Sequence, residues 1–174
     1  MKKLQILMAV VLLAFFISCT EETTPVKPDP KETNSIELKS VEGTDITGSM
    51  AFLPGGDTEL LLSFHTTITN KGTRELKLYS KMEIIELAED QASYFCWGDI
   101  DKGEGICYPP LTEDFLSDRT MTVKAGETTP KGNFLQYLSC DNPNGGEAKI
   151  RYIVFEDGNE ANRDTIIYNI SITN

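Results

Sequence analysis

The stretch Leu60-Leu61-Leu62-Ser63-Phe64-His65-Thr66-Thr67-Ile68-Thr69-Asn70 alternates with a period of two. Leu60, Leu62, Phe64 and Ile68 point one way; Leu61, Ser63, His65, Thr67 and Thr69 point the other. Successive side chains of an extended chain leave on opposite faces, so this pattern predicts a half-buried β-strand. A turn follows at Asn70-Lys71-Gly72, and the alternation resumes. Leu76, Leu78, Met82 and Ile84 interleave with Lys77, Tyr79, Lys81 and Glu83. Near the end of the chain Ile166, Tyr168, Ile170 and Ile172 interleave with Thr165, Ile167, Asn169, Ser171 and Thr173.

Shorter candidate strands fill the intervals: 36–41, 46–52, 93–97, 106–108, 120–124, 134–138 and 147–155. Breakers separate them at Pro54-Gly55-Gly56, Pro109-Pro110, Ala125-Gly126, Asn142-Pro143-Asn144-Gly145-Gly146 and Asp157-Gly158. Residues 84–91 allow one helical turn, and no long stretch carries a helical period. There is no internal repeat. Many short strands between turn signals predict an all-β chain folded as a two-sheet sandwich, with a closed barrel as the alternative.

Upstream of the strands the chain changes character. Lys2 and Lys3 precede an apolar run over residues 4–17, broken only by Gln5. That run is too short to cross a hydrocarbon core of about 30 Å but fits the apolar part of an export signal. It ends Phe16-Ile17-Ser18-Cys19, which resembles the bacterial lipobox, where a small residue precedes the lipid-accepting cysteine. Residues 1–18 are therefore expected to be a lipoprotein signal peptide and Cys19 the lipid attachment site. The next residues hold Pro25, Pro28 and Pro30, many charges and the lone aliphatic Val26. Such a segment buries too little apolar surface to offset the cost of ordering, so 19–35 reads as a flexible tether. Glu21 and Glu22 resemble the acidic export signal of Bacteroidetes lipoproteins bound for the outer face of the outer membrane. The expected location is thus the outer membrane, lipid-anchored, at the cell surface. Residues 36–174 remain for one β-sandwich domain with a core.

The formal charge is −11, and loss of Lys2 and Lys3 with the leader takes it to −13. Nucleic-acid binders need a basic footprint, so nucleic acid is not an expected partner. The acidic surface also argues against docking on anionic lipid, leaving the lipid anchor as the route to the membrane.

Three cysteines follow Cys19: Cys96, Cys107 and Cys140. Export places them where disulfides persist. Cys96 and Cys107 flank a polar, glycine-bearing turn and form the expected disulfide. Their spacing excludes a C-x-x-C redox site. Zinc needs about four ligands and the chain has a single histidine, so no metal cofactor is expected there. Cys140 is the odd one out and reads as a buried, inert thiol.

Around these cysteines the residues suggest a family. Tyr94-Phe95-Cys96-Trp97-Gly98 followed by Ile106-Cys107-Tyr108 resembles the "FCWG…CY" signature of an immunoglobulin-like module common in secreted Bacteroidetes proteins. Met121-Thr122-Val123-Lys124-Ala125-Gly126 is similar to its "TI-x-AG" strand and turn. Phe134 to Tyr137, then Asn142-Pro143-Asn144-Gly145, are similar to its "F…Y-x-P-x-G" stretch. Ile150-Arg151-Tyr152 with Glu156-Asp157-Gly158-Asn159 resembles "I-R-Y-x-F-x-D-x-x-N". Two departures stand out. The spacer between the cysteines is longer than usual, and Cys140 occupies a position that more often holds proline or a polar residue. The resemblance implies an immunoglobulin-like two-sheet antiparallel β-sandwich and an exported protein. It implies no activity.

Candidate chemistry is sparse. His65 lies on the polar face with Ser63 and Thr67, but no serine has a G-x-S-x-G context. Paired carboxylates for a glycan hydrolase would arise by chance in so acidic a chain. Asp157, Asn159, Glu160 and Asp164 bunch before the last strand; oxygen ligands on a loop suit Ca²⁺, although the spacing is not that of an EF-hand. Asp157, Asn159 and Asp164 are therefore weak calcium candidates. Trp97, Tyr94, Phe95 and Tyr108 surround the expected cystine, either as core or as a platform for sugar rings, with Tyr94 and Tyr108 the pair expected to face a ligand. Asp164-Thr165-Ile166 resembles the short O-glycosylation sequon of Bacteroidetes. Taken together, the expected function is a surface-exposed binding or adhesion module, not an enzyme and without cofactor, that takes a glycan or protein ligand. A periplasm-facing structural lipoprotein assisting an envelope complex is the alternative, and a small glycan hydrolase a further one.

Overall fold

The computed structural model describes residues 33–49, 60–100, 102–141 and 145–173, all within the compact unit Lys31–Asn174. The expected signal peptide, Cys19, nearly all of the tether and the breakers at 54–56 and 142–144 lie outside the described residues.

The described residues form eleven strands: β1 (Ile36–Ser40), β2 (Asp45–Ser49), β3 (Leu60–Asn70), β4 (Leu76–Leu87), β5 (Gln91–Trp97), β6 (Ile106–Cys107), β7 (Phe115–Leu116), β8 (Met121–Val123), β9 (Phe134–Cys140), β10 (Gly146–Glu156) and β11 (Asn159–Thr173). They form two sheets, in the orders β1-β3-β9-β5-β6 and β2-β11-β10-β4-β7, with β8 also paired to β4. The two open sheets make this a sandwich of immunoglobulin-like arrangement, not the closed barrel. The pairings are antiparallel except that of β2 with β11, which is parallel. The exception has a local cause. Between β1 and β2 the chain leaves the first sheet for the second, turning at Gly43 with φ 100°, a region that glycine enters without steric cost. Ser40 Oγ lies 2.7 Å from Gly43 O and 3.0 Å from Gly43 N, bracketing the turn.

The helical turn that residues 84–91 allow is not formed. β4 runs on to Leu87, and β5 begins at Gln91 after a tight turn with Asp90 at φ 61°. β-Branched Ile84 and Ile85 favour extended backbone. A bulge opposite Lys149 and Ile150 lets Ile84 and Leu87 both pack on the core while Ile85 stays outside.

The alternation read in the sequence becomes the core. Phe64, Ile68, Leu76, Leu78, Met82, Tyr152, Tyr168 and Ile170 are fully buried between the sheets. Aromatic rings dominate the middle. Phe95 packs edge-on to Phe134 and Tyr152, and Trp97 edge-on to Phe134 at 4.9 Å. Each large apolar side chain so buried contributes about 1.5–3 kcal/mol. Tyrosine hydroxyls among them have partners: Tyr168 OH with Thr66 Oγ1 at 2.7 Å, and Tyr152 OH with Ser93 Oγ at 3.2 Å.

Candidate functional site

The two outer faces of the sandwich differ in chemistry. On the second sheet β4, β10 and β11 set Tyr79 beside Phe155 and Arg163, Lys81 beside Ile153 and Thr165, and Glu83 beside Arg151 and Ile167. Glu83 pairs with Lys81 at 2.7 Å and with Arg151 at 3.0 Å. The hydrogen bond from Lys81, then that from Arg151, hold the Glu83 carboxyl below its ordinary range against the opposing effect of burial. This is a solvated face of alternating charge.

The outer face of the first sheet is built otherwise. Its rows run Leu61–Ser139–Ala92, Ser63–Tyr137–Tyr94 and His65–Leu135–Cys96–Cys107, with Thr67 and Thr69 beyond. None of these side chains is Asp, Glu, Lys or Arg. The charged Glu37 and Lys39 stand on the edge strand β1, 3.5 Å apart. At the centre Tyr94 and Tyr137 stack across β5 and β9. Leu61 is half exposed at one end of the face. At the other end, beside the cystine, lies a depression of about 450 Å³ whose lining includes Leu135, Tyr137, Ile100, Asn133, Asp99 and Lys102. Asp99 and Lys102 pair at 2.7 Å on its rim.

The Cys96–Cys107 disulfide is present, joining residues directly opposite each other on β5 and β6. Tyr108, expected to face a ligand, is not on this outer face. It is 6% exposed, its ring against Phe95 at 5.0 Å and Phe115 at 4.7 Å, and its hydroxyl donates to Asp118 Oδ1 at 2.7 Å. The cause is local: β6 ends at Cys107, and Tyr108 N–H donates to Phe95 O, which draws the ring over the core. Burial, helped by the Asp118 carboxylate, pushes its hydroxyl up to about 12. Tyr94 does face outward, half-buried, but its partner is Tyr137. The signal for Tyr137 was its place between Gln136 and Leu138, which period two buries; pairing across strands is not written in either strand alone. Trp97 and Phe95 are core.

The calcium candidates are not assembled as a site. Asn159 turns its amide nitrogen to Glu156 Oε2 at 3.1 Å, as a donor. Asp164 accepts from the N–H of Leu38 at 2.8 Å and from that of Thr165 at 2.8 Å, while Asp157 sits exposed in the turn. Among the described residues no group of three or more His, Cys, Asp or Glu is placed to hold a metal ion. Thr165 is exposed on the outer side of β11. His65 Nδ1 pairs with Glu42 Oε1 at 2.6 Å, and Glu42 Oε2 also accepts the His65 backbone N–H at 2.8 Å. The ring is thus engaged by a carboxylate from the Gly43 turn. Cys140 is buried on the inner side, its Sγ 3.9 Å from Gln91 Nε2.

No protein-family model matches this sequence, and no curated protein matches it. Similar folds occur among solved structures. The N-terminal domain of PorA aligns at a TM-score of 0.46 and 16% identity over 79% of this chain and 96% of that one. A PapD-like domain of human CEP192 aligns at 0.39 and 12% identity over 85% and 91%. The CooA pilin subunit of enterotoxigenic Escherichia coli aligns at 0.37 and 8% identity over 80% and 97%. Likeness at this level says nothing about ligand or activity.

Proposed function

We propose that this chain is a non-catalytic binding module, lipid-anchored through Cys19 at the surface of a bacterial outer membrane, that presents the outer face of its first sheet to a neutral glycan. The observation carrying the reading is that β3, β9, β5 and β6 supply no Asp, Glu, Lys or Arg to that face in a chain of net charge −11, the charged Glu37 and Lys39 standing on its β1 edge and Glu42 pairing with His65. Interface centres are depleted in charged residues and enriched in tyrosine, because stripping water from an ion without a partner is costly. The same logic selects an uncharged ligand. Hydroxyls of Ser63, Thr67, Ser139 and the two tyrosines flank apolar Leu135 and the cystine, matching a sugar's mixture of hydroxyl edge and C–H face. The depression falls in the size range of small-ligand sites. The lipobox-like Phe16-Ile17-Ser18-Cys19 and the charged, proline-bearing stretch after it support the anchor.

The test is an array of neutral and acidic glycans probed with the full chain, its Tyr137→Ala variant and its Ser63→Asp variant. Binding to neutral glycans that both variants abolish is expected. Binding confined to acidic glycans, or unmoved by both variants, overturns the site. Capture of a protein instead, lost in the same variants, keeps the face and overturns the glycan. Protease shaving of intact cells tests location: loss of the domain is expected, and protection until the outer membrane is opened overturns surface exposure.

A further inference from the structure

Where the upstream chain enters the sandwich, a buried polar cluster joins its first strand to its last hairpin. Asn34 adopts φ 61° and hands the chain to Ser35. Ser35 N–H donates to Asn162 Oδ1 at 2.9 Å, and Asn162 Nδ2 donates to Ser35 Oγ at 2.8 Å. The same Nδ2 donates to Glu156 Oε2 at 3.0 Å, which fixes which way the Asn162 amide points. Glu156 is held in turn by Asn159 Nδ2 at 3.1 Å and, through Oε1, by Arg74 at 2.6 Å. Asn162 is fully buried, and Ser35, Glu156 and Asn159 nearly so.

A second stitch lies three residues along. Ile68, which pairs with Leu38, directs its N–H and C=O to Thr129. In an antiparallel ladder this leaves the Leu38 N–H pointing away from β3, off the free edge of the sheet. There it meets Asp164 Oδ2 at 2.8 Å. Two side chains of β11 in the opposite sheet therefore satisfy edge donors that would otherwise be open.

We infer that Asn162, oriented by Glu156, and Asp164 form a latch that holds β1 to the β10–β11 hairpin, so that pull arriving from upstream of Ser35 passes into the hairpin instead of peeling β1 off β3. β1 is a five-residue edge strand paired on one side only, the element with least resistance to such pull. The inference stands whatever the upstream chain is attached to.

Hydrogen exchange read by mass spectrometry on the full chain tests it. In Asn162→Ala and in Asp164→Ala, amides of 36–40 should exchange about tenfold faster, an opening easier by about 1.4 kcal/mol. Amides of 76–82 and 148–154 should stay within about twofold, because hydrogen-bonded units open locally and independently of the core. Unchanged exchange in 36–40 overturns the latch. Equal acceleration everywhere also overturns it, since the cluster would then serve global stability alone. Should Asn162→Ala not fold, Ser35→Ala and Asp164→Asn leave most of the network in place and are judged by the same comparison. Pulled between residues 33 and 173 in an optical trap, the wild type should open in one event and the Asp164→Ala variant should first release β1 as a short step; one event at unchanged force overturns the latch.

Discussion

Tyr94 and Tyr137 face each other across β5 and β9 with ring centroids 4.6 Å apart and planes 13° apart, on an outer sheet face to which β3, β9, β5 and β6 supply no Asp, Glu, Lys or Arg. Aromatic pairs in this geometry contribute about 0.5–1.5 kcal/mol beyond the area they bury. Tyr94→Ala and Tyr137→Ala should each destabilise the domain, and the double variant should cost less than the sum of the two by about that amount. A double-mutant cycle by urea unfolding measures it. Strict additivity would mean the rings stack without consequence for folding.

Acid should weaken the fold through Glu156. Burial raises its carboxyl, but hydrogen bonds from Asn162, Arg74 and Asn159 outweigh it and leave the group below its ordinary value near 4.5. A folded-state value below the unfolded one means stability that is full above about that ordinary value and lost as pH falls through the folded value. Glu156→Gln should therefore be less stable at neutral pH and show a flatter loss between pH 5 and 3, roughly the span in which such carboxyls titrate. Parallel acid profiles for the two proteins would remove Glu156 from the account.

At the alkaline end the sign reverses. Tyr108 is raised from 10.0 to about 12 by burial and by Asp118, so its contribution holds below pH 10 and is lost as pH rises toward 12. Tyr108→Phe keeps the ring in the core and should flatten the loss of stability above pH 10. Tyr152 and Tyr168, also raised by burial, should keep an alkaline transition in that variant.

Ser80 is fully buried and its hydroxyl has no hydrogen-bond partner among the described residues. A buried donor without a partner costs about 1–3 kcal/mol, so removing it helps. Ser80→Ala should raise the unfolding midpoint. A loss of more than about 1 kcal/mol would show that the hydroxyl is satisfied by something else.

The disulfide closes a loop between residues eleven apart in sequence. In the chain-entropy view, opening so short a loop costs about 3 kcal/mol. Cys96→Ala with Cys107→Ala should lower stability by about that much and loosen 97–108 ahead of the rest in hydrogen exchange. A loss spread evenly over both sheets would show that the cystine supports the core and not only its own hairpin.

Much of this was legible in the chain and some was not, for identifiable reasons. The alternation of Leu60 to Asn70 and of Ile166 to Thr173 gives strand and face directly, because period two is local. Cys96 and Cys107 are close in sequence, and their pairing was readable too. Tyr108 misled because its position depends on where β6 ends, a matter of hydrogen bonding and not of composition. The pairing of Tyr94 with Tyr137 depends on the register of strands more than forty residues apart. Asn162 and Arg74 carry no signal in the sequence, and Glu156 stands there only beside a turn; what they do together follows only from the fold that brings Ser35 back to them. The parallel β2–β11 pair was equally hidden, since it depends on a change of sheet at Gly43.

Strand β11 lies between β10 and β2, and it also supplies the groups that meet Ser35 and Leu38. The second sheet can therefore not be completed from the N-terminal side of the domain. Until residues 159–173 arrive, β2 has no partner, β10 lacks one neighbour and the core lacks Tyr168 and Ile170. The second sheet closes only when β11 meets β2, a strand more than a hundred residues before it in sequence. Such long-range closure is slow to form.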